Sequence, residues 1–592
     1  MLYPGPSGVY WRSVGRANCR FKLESTPLFA YNLRRLARDE KPHERSVGMF
    51  SEPSTPQATD PTFPPLGQKI KALLVWPKIP NSFWTFAGML DLLPEKAVMP
   101  PLGLITLAAL CPAHWTVRLI DEAVEDLTDN DILWADLVMV GAMTVQKAGL
   151  YEVLARARRL GRRTIVGGPY VSGEPSRMLP IADHVVVGEP DEVFLEIARD
   201  LEEGTARKLY EITDKPDVTK TPMPRFDLLK LDCYASMSVQ FSRGCPFQCE
   251  FCDIIILYGR KPRTKLPQQM VAELDKLLSL GWKKQVFIVD DNFIGNHARA
   301  LDLCVELEKW QRARGFPVMF YTEASMDLAR QAALVDAMVK ANFFYVFIGI
   351  ESPSKESLKE VKKLQNLAMD PVSSIELLHK RGLWVTGGFI VGFDSDTEEI
   401  FEQQTEFIER TAIPWALVNF LHALPLTALH DRMEKEGRLL VESRVSSSDG
   451  TPPNFRTTMD SAVLLRGFAK TISSIYDAEK FYERAWRSLQ TWETQRCQHP
   501  AQEPTASQIL RILARSIWHQ GFRSSYRKSY WKFFLKIFGR YAMNRPKIWM
   551  GFTILISGHH FIPYASELAK KVEGQRLNLA PAPEMIAACQ EK

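Results

Sequence analysis

Arg243-Gly244-Cys245-Pro246-Phe247-Gln248-Cys249-Glu250-Phe251-Cys252 places three cysteines within eight residues, directly after the β-prone run 236–241. A cubane iron–sulfur cluster has four irons, and each normally takes one protein thiolate. Three thiolates leave one iron open. An open iron beside a dry pocket can bind and reduce a small molecule, which a fully ligated electron-transfer cluster cannot do. Cys245, Cys249 and Cys252 are therefore the candidate metal ligands and the centre of the chemistry. The rival reading, half of a zinc site, needs a second cysteine knuckle. The other cysteines (Cys19, Cys111, Cys233, Cys304, Cys497 and Cys589) are isolated. Nine cysteines in 592 residues without an even, spaced pattern argue against a disulfide framework.

Thiols kept free for a cluster need a reducing compartment, so a cytoplasmic setting is expected. With 46% hydrophobic and 24% charged residues, the chain reads as globular, with length for about three or four domains. The net charge of +5 implies no partner by itself. No apolar run reaches the roughly 18 residues that span a bilayer; the longest candidate, 548–556, contains Gly551 and Thr553. Residues 1–66 lack periodicity, and 52–65 are Pro- and Thr-rich, as expected of a flexible linker. Arg34, Arg35 and Arg38 mark a basic stretch upstream, without the apolar core of a secretory signal. Met49 is an alternative start.

From Lys71, β-branched runs at 71–76, 117–121, 136–141, 164–167 and 184–188 alternate with helical stretches at 101–110, 147–160 and 191–203. Alternation of this kind predicts an α/β, doubly wound parallel sheet over 67–205, with ligands beyond the carboxyl ends of its strands. Those ends carry Met143-Thr144-Val145, Gly167-Gly168-Pro169 and Gly188-Glu189. Glycines there let backbone approach a large planar ligand. No G-x-G-x-x-G follows the first strand, so a dinucleotide is disfavoured. A plain flavodoxin-like domain with another ligand remains the alternative. After a linker at 206–232, six further β–α units are expected over 233–445, with strands at 236–241, 286–289, 318–321, 345–350, 385–391 and 417–421. Their ends carry Asp290-Asp291-Asn292, Glu323, Glu351 and the glycines 387, 388 and 392. A partial (β/α)6 barrel binds at those ends.

The C-x3-C-x2-C spacing, with Phe251 before the last cysteine, resembles the signature of radical S-adenosylmethionine (SAM) enzymes. The preceding domain, with Pro100-Pro101-Leu102 and the Gly167-Gly168-Pro169-Tyr170 turn, resembles the cobalamin-binding domain of the B12-dependent branch. Together with Val289-Asp290-Asp291-Asn292, residues 67–445 look most like the subfamily that includes hopanoid C-2 methylases. The resemblance implies a 4Fe–4S cluster, SAM and cobalamin as cofactors. It implies that one SAM methylates the corrinoid, while a second yields a 5′-deoxyadenosyl radical that takes hydrogen from an unactivated carbon. It places Asp290, Asp291 and Asn292 on the SAM amino group, Glu323 and Glu351 on ribose hydroxyls, and Gly387, Gly388 and Phe251 on adenine. The corrinoid would lie on Met143, Thr144, Val145, Gly167, Gly168, Pro169, Gly188 and Glu189. The D-x-H-x-x-G loop of other cobalamin folds is absent, and His114 and His184 are read as surface or core residues. Expected partners are a small-molecule substrate, lipid-like or of the natural-product kind, and an external electron donor such as flavodoxin or ferredoxin. A cyclase or rearrangement enzyme with the same cofactors is the alternative, and a corrinoid or redox sensor is the non-enzyme alternative.

The basic loop 259–265 is read equally as a carboxylate clamp or as a solvated helix start. Residues 446–592 are expected to be mainly helical and to face the substrate or a membrane. Between Glu503 and Glu567 no Asp or Glu occurs, against ten Lys or Arg. Lys528, Lys532, Lys536 and Arg540 form a helical stripe beside Trp531, Phe534, Leu535 and Phe538. That pattern suits a helix on an anionic membrane surface, a core helix with a basic edge, or, least, nucleic acid. No nucleic-acid partner is expected.

Overall fold

In the computed structural model, residues 64–440, 449–494 and 505–579 are described. The proposed linker at 52–65 falls almost wholly outside them; so do the basic stretch, Met49, Cys19, Cys497 and Cys589.

The first sheet comprises β1 (Lys71–Trp76), β2 (Thr116–Asp121), β3 (Leu137–Gly141), β4 (Arg163–Gly167), β5 (His184–Val187) and β6 (Leu209–Glu211). All pair in parallel, in the order β2-β1-β3-β4-β5-β6. Successive side chains of a strand point to opposite faces. Leu73, Val75, Val138 and Val140 accordingly enter one buried cluster, and Ala72, Leu74, Leu137 and Met139 the other. Two covered faces explain why these strands read as continuous apolar runs. Helices Leu102–Leu110, Lys147–Arg159 and Phe194–Glu203 lie between strands as expected. The chain reverses direction across the sheet between β1 and β3, which opens a crevice at their carboxyl ends.

β7 (Ser236–Val239) begins the second sheet. A short antiparallel clasp, β8 (Ser242–Arg243) with β9 (Arg263–Thr264), then closes the cysteine loop. β10 (Gln285–Ile288), β11 (Met319–Ala324), β12 (Phe343–Glu351), β13 (Trp384–Val391) and β14 (Ala416–Phe420) follow. The order β14-β13-β12-β11-β10-β7 is wholly parallel and sequential, the arrangement of an open partial barrel with helices outside. All six sequence-expected strands are present, shifted by a few residues at their ends.

Among the described residues beyond β14 the elements are helical: Ala428–Lys435, Ser461–Ile475, Ala478–Thr491, Ala506–Ser516, a π-helical turn Ile517–Arg523, Arg527–Tyr541 and Arg545–Leu579. These helices are tied to the last barrel strand. Tyr476 Oη donates to the Ala416 carbonyl at 2.8 Å, and Trp415 Nε1 donates to Ser557 Oγ at 3.0 Å. The buried Arg484 guanidinium donates to the carbonyls of Ile413 and Ile475 and to the Glu409 carboxylate, each at 2.7 Å. No helix among the described residues is long and apolar enough to cross a membrane.

Candidate functional site

The cysteine loop is fastened on every side. The buried Asp290 carboxylate accepts from the Phe241 N–H at 2.7 Å and from Ser242 Oγ at 2.6 Å, which fixes the exit from β7. Gly244 has φ +94°, and a Cβ there would sit 2.7 Å from the Gly259 carbonyl, so only glycine allows this turn. Its N–H donates to Asp291 at 3.2 Å, and the Cys245 N–H donates to the Gly259 carbonyl at 3.2 Å. The Glu250 N–H donates to the Val361 carbonyl, while its carboxylate accepts two Arg432 bonds at 2.9 and 3.1 Å.

Burial pushes the Cys245 and Cys252 thiols above their ordinary value. Bare, they hold their protons; a metal displaces them and makes thiolates. The surroundings favour that negative charge. Asn292 Nδ2 donates to Cys245 Sγ at 3.8 Å, Gln365 Nε2 donates to Cys249 Sγ at 3.6 Å, and the buried Lys363 ammonium attracts both Cys249 and Cys252. Donors and a cation around three sulfurs fit a thiolate-held cluster. Lys363 and Gln365 were not singled out in the sequence, because they lie in a loop more than 110 residues beyond the cysteines.

Above the loop lies a chamber of about 2000 Å³. Its floor is the carboxyl end of the barrel sheet, where Phe251, Asp291, Glu323, Glu351 and Gly388 line it. Asp290, Asn292 and Gly387 do not. Asp290 holds the β7 exit, Asn292 bridges Cys245 and Ser325, and a Cβ on Gly387 would strike Ile350 and Phe389 at 2.9 Å instead of the chamber. Gly388 faces inward; a Cβ there would lie 2.7 Å from the Phe347 ring. Glu351 takes φ +64° at a register shift in β12, and its carboxylate pairs with Lys363, whose ammonium also stands 5.9 Å above the Phe251 ring. Gly349 makes room for that pair, since its Cβ would meet both groups within 2.7 Å. Burial first, then the neighbouring Asp291 charge, raises Glu323 to about 7. Asp291 is likewise pushed up to about 7, by burial and then by Asp290 and Asp253.

The facing wall comes from the first sheet. Trp76, Met143, Thr144, Val145 and Pro169 line it, as do Pro100, Pro101 and Leu102. A broad, mostly apolar wall at the crevice of an open α/β sheet fits a large planar group. The glycines serve another purpose than expected. Gly168 (φ +95°) lies against the Ala142 backbone, and a Cβ on Gly188 (φ +92°) would sit 2.2 Å from the Ile212 carbonyl, so both permit chain crossings. Gly167 faces Val186. Glu189 is occupied by two arginines, Arg243 at 2.8 Å and Arg263 at 2.7 Å, and joins β5 to the cysteine clasp. As read from the sequence, neither histidine faces the wall: His114 pairs with Glu202 at the surface, and His184 is buried against the Arg207 carbonyl.

The third wall is apolar. Trp549, Phe552 and Ile556 of the long C-terminal helix line it with Trp84 and Phe347, whose rings lie 4.9 Å apart. On the barrel side Phe287, Tyr321 and Tyr345 stack at 4.6 Å spacings, and Ser236 Oγ shares a 2.7 Å hydrogen bond with Tyr321 Oη. None of these was singled out as a site residue. Those in strands have the alternation of any barrel strand, and the helix residues carry no motif.

Two charged features also resolve. In the 259–265 loop, Arg263 donates to Pro216, Tyr258 and Glu189, and the buried Lys265 pairs with Glu273, so neither faces the chamber. In helix Arg527–Tyr541 the buried residues are Tyr530, Phe533 and Ile537, while of the apolar face read beside the basic stripe Leu535 and Phe538 are exposed and Trp531 and Phe534 half-buried. Lys532 and Lys536 pair with Glu479 and Glu483 at 3.0 and 2.9 Å.

Three family models match the chain: the B12 binding domain over residues 95–198, the radical SAM superfamily over 239–408, and a domain of unknown function (DUF4070) over 427–574. The chain is 39% identical to an uncharacterised methyltransferase of Synechocystis sp. over 509 residues, covering 86% of this chain and 94% of that one. It is 34% identical to hopanoid C-2 methylase of Rhodopseudomonas palustris over 510 residues, covering 84% and 94%. Among solved structures it resembles the cobalamin-dependent SAM radical enzyme OxsB with aqua-cobalamin and SAM bound. The TM-score is 0.54 at 16% identity, over 87% of this chain and 82% of that one.

Proposed function

The chain belongs to the radical SAM methyltransferases that carry a B12-binding domain, and from that footing we propose that it methylates an unactivated carbon of a large, apolar small molecule. Its cofactors are a 4Fe–4S cluster, SAM and cobalamin. The observation that carries the substrate reading is the common chamber. The cysteine loop, the crevice of the α/β sheet and the apolar C-terminal helix open onto one volume of about 2000 Å³.

Cys245, Cys249 and Cys252 would anchor the cluster, with Asn292 and Gln365 donating to the sulfurs. Asp291, Glu323 and Glu351 are the carboxylates in reach of a cationic, hydroxyl-bearing ligand on the barrel floor, and Lys363, behind the chamber lining, holds Glu351 in place. Met143, Thr144, Val145 and Pro169 would flank the corrinoid. When bound, these groups supply an electron, a hydrogen-abstracting radical and a transferable methyl group. The protein positions them and keeps water away with aromatic and aliphatic walls. An external reductant such as flavodoxin or ferredoxin would deliver the electrons. The relatives' names extend the proposal to a polycyclic or lipid-like substrate.

Anaerobically reconstituted protein, supplied with cobalamin, SAM and a reductant, is expected to release 5′-deoxyadenosine and to add one CH2 unit to a lipid extract of cells lacking the gene. Cys249→Ala is expected to abolish both. Deoxyadenosine with a mass-neutral product would replace methyl transfer by a rearrangement. Turnover unchanged in Cys249→Ala would overturn the cluster assignment.

A further inference from the structure

The C-terminal helices expose an apolar surface that no role above absorbs. Trp518 is 57% exposed, Phe522 61%, Leu510 67% and Leu535 65%. The aromatic members form one continuous ladder. Ring centroids step from Trp518 to Phe522 (6.5 Å), Trp531 (6.4 Å), Phe534 (5.3 Å) and Phe538 (4.5 Å). The last rung, Phe538, is both exposed and part of the chamber wall, as is Ile509. The ladder therefore runs from open surface to the mouth of the chamber.

Its charge environment is one-sided. Arg511, Arg515, Arg523, Arg527 and Arg540 are all exposed on the same helices, and no carboxylate occurs between Glu503 and Glu567. Lys532 and Lys536 are engaged with Glu479 and Glu483, on the side facing helix Ala478–Thr491. Exposed aromatic rings among arginines suit the headgroup layer of an anionic bilayer, where rings enter the acyl boundary and guanidinium groups meet phosphate. We propose that this face, residues 505–541, docks on anionic phospholipid and sets the chamber mouth against the membrane. Docking stands on the surface alone; entry of substrate from the bilayer rests on the methyltransferase reading.

The test is cosedimentation of the full-length protein with phosphatidylglycerol-rich vesicles and with vesicles of phosphatidylcholine alone. Binding is expected only to the former, with a blue shift of tryptophan emission. Arg523→Glu with Arg527→Glu, and separately Trp518→Ser with Phe522→Ser, are expected to weaken it by about tenfold or more. Both pairs are exposed, and unchanged circular dichroism and uncoupled deoxyadenosine release report intact folding. Absence of binding to the anionic vesicles, or undiminished binding by both pairs, overturns the proposal. So does a concentration-dependent dimer lost in Trp518→Ser/Phe522→Ser, which would assign the face to a second copy. Vesicle binding without any methylated product would leave docking intact and sink the proposed function instead.

Discussion

Burial, helped by the charge of Asp291 beside Glu323 and of Asp290 and Asp253 beside Asp291, raises both Glu323 and Asp291 to about 7, so both take up protons near neutral pH. A ligand bearing an ammonium and a sulfonium favours their ionised forms and must expel those protons on binding. The sign follows: SAM affinity is expected to rise between about pH 6 and pH 8, with protons released on binding. Isothermal titration in buffers of different ionisation enthalpy measures that release, and Glu323→Gln is expected to diminish it. A flat affinity profile would remove both carboxylates from the SAM site. Gln365 offers a second residue-scale check. Its N–H donates to Cys249 Sγ, and hydrogen bonds to cluster sulfurs raise the reduction potential. Gln365→Leu is therefore expected to shift the potential negative by some tens of millivolts, read by an EPR-monitored redox titration. The cysteines were legible because their spacing is itself the chemistry. Gln365 and Lys363 were not, because a donor in a loop has no pattern until the fold brings it to the sulfur. The Asp290-Asp291-Asn292 triplet shows the limit from the other side. Three adjacent polar residues looked alike in the sequence, yet only Asp291 lines the chamber.

At the scale of elements, β-strands with both faces buried announced themselves as apolar runs, and eleven of the twelve strands in the two large sheets lie within a few residues of their expected positions. β6 was missed because its three residues are too few to show alternation. In helix Arg527–Tyr541 the sequence showed the basic stripe and the apolar residues beside it, but not the second apolar face, Tyr530, Phe533 and Ile537, that packs inward. Apolar residues occupy two adjoining faces of it, and only packing decides which one is buried. Segment Ala87–Leu90 shows packing that no periodicity reveals. Pro563 lies inside the long C-terminal helix and has no N–H for the His559 carbonyl. Gly88 approaches that carbonyl so closely that a Cβ would lie 2.8 Å away. Gly88→Val is expected to displace the segment and lower thermal stability, seen as a fall in Tm. Arg484 is the stronger test. It is fully buried and donates to the carbonyls of Ile413, Pro414 and Ile475 and to Glu409, so Arg484→Ala leaves three buried carbonyls without that donor, while Glu409 keeps Arg487. The expected loss is about 3 kcal/mol in denaturant unfolding, the cost of buried acceptors left unsatisfied, whereas a surface change such as Arg466→Ala is expected to stay within about 0.5 kcal/mol.

For the whole molecule, the decisive arrangement was invisible in the chain, since the chamber is built from residues hundreds of positions apart. Phe83 stacks on Phe561 at 5.7 Å, and Trp549 meets Phe344 edge-on at 5.6 Å. No local pattern pairs such residues; they meet because a segment following β1 and the last long helix both cover the open barrel. That closure has a functional consequence. With SAM on the barrel floor as proposed, the radical it supplies would react with whatever carbon stands nearest, so the apolar wall would determine whether abstraction leads to methyl transfer or to waste. Trp549→Ala with Phe552→Ala loosens that wall without touching the cysteine loop or the strand-end carboxylates. Deoxyadenosine release is expected to stay within about twofold of the parent, while methylated product falls by about tenfold or more, a split that marks lost positioning rather than lost activation. Quantifying both products from the same anaerobic reaction makes the check. A parallel fall of the two would mean that the wall supports the cofactor site itself, and both products at the parent's level would place the substrate elsewhere in the chamber.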